Sequence, residues 1–474
     1  MRPTARIQGR FRPLVSALMA TAFVALPAAA SSIPVAEERK IGAEIAVEAR
    51  RHLPMIDDYE IQTYIQNIGY KLVAALGTQP FDYEFFVVND GSLNAFAVPG
   101  GKIFVHAGLI SAADNMEEVA GVMGHEVAHA AAHHSVRQQQ KGQAASVASI
   151  MGLFLTILNP VVGVAAMSAG ISQQLEYQRD FEREADFLGI EYSRKAGYEP
   201  GAMLGLLRKI YDEQKLNPTQ VPPYLLSHPM TGERLAYLES ALGRNEWQVN
   251  VKPVTFEFER IQAIARANSQ TRETAVPYYE RRLAKASAAD KPAALELIGI
   301  LMVHGDDYTL GVEYLSQAEK AGRKVDRELG RAYLRRGNPA EAEPRLQRAA
   351  NANAKDWNVQ EDLGSLYFQQ GKFEESVAAY KNAVELYPWP SEPKRQLARS
   401  LDKAGRTGEA FYYYGVAAEY DGSTTPALGY LKKADDKLPA DSPLREDLAK
   451  RIEALEKATS GPPEPPVIRR EPGR

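Results

Sequence analysis

GHEVAHAAAHH, residues 124–134, places four of the chain's eight histidines within ten residues. On a helix, residues four apart differ by about 40° in azimuth and roughly 6 Å in rise. His125 and His129 can therefore present two imidazoles to one metal ion, with Glu126 beside them to polarise a bound water. His133 lies roughly another 6 Å along the axis, and His134 about 180° round from His125. Both read as bystanders, or as polar groups at the helix end. Val119, Val122, Met123, Val127 and Ala128 place this helix, expected over about 116–140, in a core. Buried imidazoles and a carboxylate there need a partner, and a metal is the natural one.

A catalytic zinc needs a third protein ligand and an open position. A histidine six residues after His129 would be one route, but Ser135 stands there. YQRDFEREADFLGIEYSRKAGY (177–198) offers another, with Glu182 and Asp186 four apart on an expected helix. Glu182 can ligate the ion, and Asp186 can accept a hydrogen bond from a ligand imidazole. Glu184 points about 200° away from Glu182 and is a weaker candidate. With no cysteine in 474 residues, thiolate zinc sites, disulfides and cysteine nucleophiles are excluded. One Zn2+ per chain is the expected cofactor, although His and carboxylate ligands hold other divalent ions too.

Working outward, YEFFVVND (83–90) reads as a strand, and NAFAVPGGKIFVHAGLI (94–110) as a hairpin around Pro99-Gly100-Gly101. Residues 37–76 are helical in pattern. No charged residue occurs between Lys141 and Glu176. A single membrane span there would put Glu182 and the histidines on opposite faces, which one shared ion forbids. Two spans need about forty residues, more than the insert has. The stretch at about 142–175 is expected to be a lid, hairpin or re-entrant element, and covering the cleft and touching lipid are both open roles.

At the N-terminus, Arg2, Arg6, Arg10 and Arg12 precede an apolar run (14–26) and Ala28-Ala29-Ala30. This is the pattern of a secretory signal, expected to be cleaved near Ala30. The formal net charge is −4 with both signs mixed, which gives no reason to expect nucleic-acid binding. An exported, periplasmic protein is the simplest expectation.

Beyond about residue 265 a period of 34 emerges. Leu329-Gly330, Tyr333, Gly337 and Ala342 recur as Leu363-Gly364, Tyr367, Gly371 and Ser376, then as Leu397-Ala398, Leu401, Gly405 and Ala410. This pattern resembles the tetratricopeptide repeat, whose helix pairs stack into a solenoid. The outer units are looser: Gly305 precedes Gly337 by 32 residues. SGPPEPPVIRREPGR (460–474) is Pro-rich and expected to be disordered.

NAFAVPGG, HEVAH, EREAD and LSHPMTGER together resemble the M48 family of zinc metallopeptidases. The resemblance covers about 37–240, and with the signal and repeats it extends over most of the exported chain. It implies an α+β, mostly α, zincin-like metallopeptidase domain over 31–262. An all-α tetratricopeptide-repeat solenoid over 263–457 and a tail over 458–474 then follow. His125, His129 and Glu182 correspond to the zinc ligands and Glu126 to the general base. Asn94, Ala95, Phe96, Ala97 and Val98 would form the edge strand on which substrate pairs. His228 and Arg234 match a motif associated with stabilising a developing oxyanion. In periplasmic relatives the motif histidine can instead fill the fourth zinc position and keep the enzyme latent.

The implied function is a periplasmic endopeptidase degrading misfolded or stalled outer-membrane proteins and assisting their assembly. Its expected partners are those proteins and the outer-membrane β-barrel assembly machinery, met through the repeats. The rival readings are a chaperone-like assembly factor with a normally latent site, and a membrane-associated peptidase.

Overall fold

A computed structural model describes residues 34–141, 171–216, 222–242 and 253–459. The expected export signal, most of the apolar insert and nearly all of the Pro-rich tail lie outside the described residues. Among the described residues, no helix is long and apolar enough to cross a membrane.

EFFVV, apolar after its first residue, becomes β1 (Glu84–Val88), and the hairpin becomes β2 (Ala95–Val98) and β3 (Lys102–His106). The three form one sheet in the order β1-β3-β2, with β3 parallel to β1 and antiparallel to β2. β2 is thus an edge. Successive strand residues face opposite ways, and both faces are covered. Phe86, Val88, Phe96, Val98 and Phe104 meet Ile41, Ile45, Ala46 and Ala49 of α1 (Val35–His52). Phe85, Val87, Ile103 and Val105 instead share a core with α2 (Tyr59–Ala74) and α4 (Met116–Ala131). Between the sheet and α4 runs the short α3 (Ala107–Ala112).

α1 approaches the hairpin turn so closely that a Cβ on Gly42 would lie 2.1 Å from the Pro99 carbonyl oxygen. Gly42→Ala is therefore expected to destabilise the protein. Alanine gains about 1 kcal/mol of helix propensity, but a rigid backbone clash costs about 1–3 kcal/mol. Denaturant unfolding measures the net, and a stabilised variant would rule out this packing.

α4 starts on Asn115, whose side chain accepts from the Glu118 amide. It ends at His133, whose φ of +55° breaks the helix before α5 (His134–Lys141). The expected continuous helix over 116–140 is thus two helices meeting at an angle. α6 (Ile171–Lys195) lies along α4, with α7 (Ala202–Leu216), α8 (Pro223–Ser227) and α9 (Gly232–Ala241) following. A Cβ on Gly189 of α6 would sit 2.9 Å from the His125 amide nitrogen. The missing side chain lets the two acid- and histidine-bearing helices touch.

The remaining helices are α10 (Phe256–Ser269), α11 (Arg272–Lys285), α12 (Lys291–His304), α13 (Tyr308–Lys320), α14 (Asp326–Arg335) and α15 (Pro339–Ala352). They continue as α16 (Trp357–Gln369), α17 (Phe373–Leu386), α18 (Ser391–Lys403), α19 (Thr407–Tyr420), α20 (Thr424–Lys437) and α21 (Arg445–Thr459). At the 34-residue positions Gly337, Gly371 and Gly405 take φ values of 76°, 74° and 80°, the left-handed conformation that suits glycine. In the looser preceding unit Asp306 takes that role at 63°.

The boundary expected between 262 and 263 falls inside α10. Phe258, Ile261 and Ile264 of that helix, with Leu297, Ile298 and Leu301 of α12, belong to the same apolar core as Ile61 and Val119. The repeats also grip the loop between α1 and α2. The Asp57 carbonyl accepts from Trp357 Nε1 at 2.8 Å, and the Tyr59 amide donates to Asn358 Oδ1 at 2.7 Å. Arg327 donates to Asp58 at 2.7 Å, and the Arg50 guanidinium faces the rings of Phe86, Tyr387 and Trp389.

Candidate metal centre

α4 contributes His125, Glu126 and His129, α6 contributes Glu182 and Asp186, the turn after α8 brings His228, and α9 brings Arg234. One ligand atom each from His125, His129, Glu182 and His228 lies within 4.8 Å of all the others. His125 Nε2 is 3.0 Å from His129 Nε2 and 3.4 Å from Glu182 Oε2, and His129 Nε2 is 3.3 Å from Glu182 Oε1. His228 Nδ1 is 3.0 Å from Glu182 Oε1 and 3.4 Å from His125 Nε2. Ligands about 2.0–2.1 Å from a tetrahedral zinc stand about 3.4 Å apart, so the measured edges fit such an ion.

The charges agree with that use. Burial pushes His129 down to about 3, with Glu182 opposing, so the ring is neutral as a ligand must be. Burial also works to raise Glu182, but the nearby His228 and Arg234 charges hold it well below the usual carboxylate range. At His125 burial is outweighed by Asp186 and Glu182, which push the imidazole up to about 9. A metal ion would have to displace that proton. His125 Nδ1 lies 3.0 Å from Asp186 Oδ1, the contact expected of a ligand histidine's other nitrogen.

Glu126 stands outside the cluster. It is buried, neither of its carboxylate oxygens has a hydrogen-bond partner, and His228 Nε2 lies 3.4 Å away. Burial pushes its carboxyl up. A buried acceptor without a donor is the arrangement that a reacting water would complete.

β2 packs on α4. Phe96 and Val98 turn into the α1 side of the sheet, while Ala95 and Ala97 face the α4 side, with the Ala97 backbone towards Glu126. Asn94 is buried at the head of the strand with its Oδ1 unpartnered. The donors of Arg234 are taken up by carboxylates. Nε and one terminal nitrogen donate to Asp186 at 2.7 and 2.6 Å, and the other lies 2.7 Å from Glu182 and 3.2 Å from the Pro229 carbonyl oxygen.

Two residues read as bystanders are engaged. His133 Nδ1 lies 2.7 Å from Glu38, and His134 Nδ1 lies 2.9 Å from His129 Nδ1. Glu184, read as pointing away, faces His134 Nε2 at 3.2 Å. The helix break at His133 is the reason, because it swings His134 off the line that an unbroken helix would give it. The only sequence signal was the density of histidines itself.

Residues 60–242 match Peptidase family M48, and residues 327–389 match a tetratricopeptide repeat. The chain is 31% identical over 216 residues to the beta-barrel assembly-enhancing protease of Escherichia coli, covering 44% of each. A protein of that name from Yersinia pestis is 24% identical over 422 residues, which is 86% of this chain and 85% of that one. The mitochondrial metalloendopeptidase OMA1 of Schizosaccharomyces pombe is 26% identical over 200 residues, 40% of this chain and 55% of that one. The chain spans about half the length of the first curated relatives it matches.

Proposed function

We propose that this chain, which carries an M48 metallopeptidase domain ahead of tetratricopeptide repeats, is a zinc-dependent endopeptidase of the bacterial periplasm, exported by residues 1–30. Its substrates are misfolded or stalled outer-membrane proteins, presented by the repeats or by the machinery that assembles them. The names of the Escherichia coli and Yersinia pestis relatives support that substrate class. The observation that carries the reading is the His125–His129–Glu182–His228 set beside an unpartnered, buried Glu126.

Zinc held there would acidify water and polarise a peptide carbonyl. Glu126 takes the proton from the attacking water and returns it to the leaving amine. The edge strand β2, with Asn94 at its head, pairs with the substrate backbone and lays it along α4. Asp186 orients His125, and Arg234 holds Asp186 and Glu182 in place.

His228 is the latch. Its Nδ1 stands with the ligand atoms of Glu182 and His125 and would occupy the position that a catalytic zinc needs open. The same contact favours a second reading, an assembly factor whose peptidase is normally off. His228→Ala is expected to raise casein cleavage several-fold, by the inverse of the fraction of molecules already open. A variant no faster than wild type would end the latch, and only one slower than wild type would place His228 on the developing oxyanion.

A further inference from the structure

The metal cluster uses one ring nitrogen of His129, and the other meets a second imidazole. His129 Nε2 faces His125 and Glu182, while its Nδ1 lies 2.9 Å from His134 Nδ1. His134 is 3% exposed, and its ring lies tilted against Phe181 at 4.6 Å. Its Nε2 stands 3.2 Å from Glu184 Oε2. Arg137 holds Glu184 with contacts of 3.1 and 3.0 Å, and donates to the Ala132 carbonyl at 3.2 Å.

Only one distribution of protons satisfies this row when His129 binds a metal. Metal bonding through Nε2 leaves the His129 proton on Nδ1. His134 Nδ1 must then accept, so its own proton sits on Nε2, where Glu184 accepts it. Each donor meets an acceptor, and the row ends on an arginine.

We propose that His134, fixed by Glu184 and Arg137, is a positioning residue that sets the tautomer and ring orientation of the metal ligand His129. The proposal rests on the metal-site reading above. Its local cause is the left-handed His133, whose Nδ1 lies 2.7 Å from the buried Glu38. On an unbroken helix His134 would stand about 140° round from His129, and the break brings it back.

The two ligand histidines are thereby supported differently. Behind His125 stands Asp186, itself paired with Arg234. Behind His129 stands a neutral ring, with the carboxylate one residue further out on the half-exposed Glu184. A ligand histidine's other nitrogen ordinarily meets a carboxylate, a carbonyl or water. His134 does that work here and excludes water from the back of His129.

The test measures zinc affinity of the full chain by chelator competition, the visible spectrum of the cobalt-loaded protein, and unfolding of the metal-free protein. His134→Phe keeps a ring against Phe181 but cannot accept from His129. It is expected to weaken zinc binding about 10–100-fold and to shift the cobalt bands, while the metal-free protein stays folded but unfolds more easily because His129 and Glu184 each lose a partner. His134→Gln, whose side-chain oxygen can accept, should recover most of the affinity. Glu184→Ala should give a smaller loss in the same direction.

Wild-type affinity and spectrum in a folded His134→Phe would overturn the proposal. So would a loss that His134→Gln leaves unrepaired. If His134→Phe does not fold, unchanged affinity and bands in Glu184→Ala overturn it instead. A wild-type chain that binds no zinc, or a His125→Ala variant that binds it as tightly, would sink the metal-site reading itself, which is a separate result.

Discussion

Glu126→Gln is expected to bind zinc as wild type does and to cleave casein about 10²–10⁴-fold more slowly. Glutamine keeps the shape and the buried position but cannot take a proton from water. Glu126 is not among the four clustered ligands, so metal content should not change. Burial pushes its carboxyl up, which strengthens it as a base and brings it nearer the working pH. Neither carboxylate oxygen has a well-formed hydrogen bond, and only the Ala97 backbone and the His228 ring approach it. Equal cleavage by the two proteins would remove Glu126 from the reaction. If neither cleaves although both bind zinc, the latent reading gains, and the His228→Ala comparison decides it.

Arg234→Ala should have the largest effect on stability. The guanidinium is 7% exposed and is the fixed countercharge of Asp186 and Glu182, both buried. Removing it strands two carboxylates in a low-dielectric interior, which costs about 3–5 kcal/mol. At Asp186 burial favours the neutral acid, but Arg234 and His125 hold its ionisation below the usual carboxylate range, and Glu182 behaves alike. Lowered carboxylate pKa values add stability that is complete above the unfolded value of about 4 and is lost as pH falls through the folded one. The gap between wild type and variant should therefore be widest at neutral pH and narrow on acidification below about pH 4. Added zinc should shrink it at pH 7, because the ion supplies part of the missing positive charge. Denaturant unfolding with zinc and with chelator measures this, and an equal gap under all conditions would contradict it.

Much of this was legible because it is local. The i, i+4 histidines and acids, the alternating strands and the 34-residue period each write their geometry into spacing. β2 and β3 needed only the glycine turn between them to be read as a hairpin. What escaped depends on one backbone angle. His133 takes a positive φ, which is uncommon for any residue but glycine, so nothing in AAAHH announces the break. With the helix assumed continuous, His134 faced away from His129, and Glu184, which stays outside the ligand cluster, had no visible partner. The long-range docking was equally silent. No spacing in the sequence links Asp57, Asp58 and Arg50 to the repeats, and the fold shows them against Trp357, Arg327 and Tyr387.

That docking bears on the order in which the protein is made. Asp57 and Trp357 are 300 residues apart, and Arg51 reaches the Tyr420 carbonyl across 369. Chains fold from the N-terminus as they emerge, and distant contacts form late because their loops are long. Helices α1 to α9 can assemble the histidines and acids first. The core face that α10 covers stays bare until the chain is past its midpoint, and the loop that the repeats grip stays bare until the last third arrives. The nascent molecule thus carries its ligand set before its clasp, and its final folding step is to close on its own beginning.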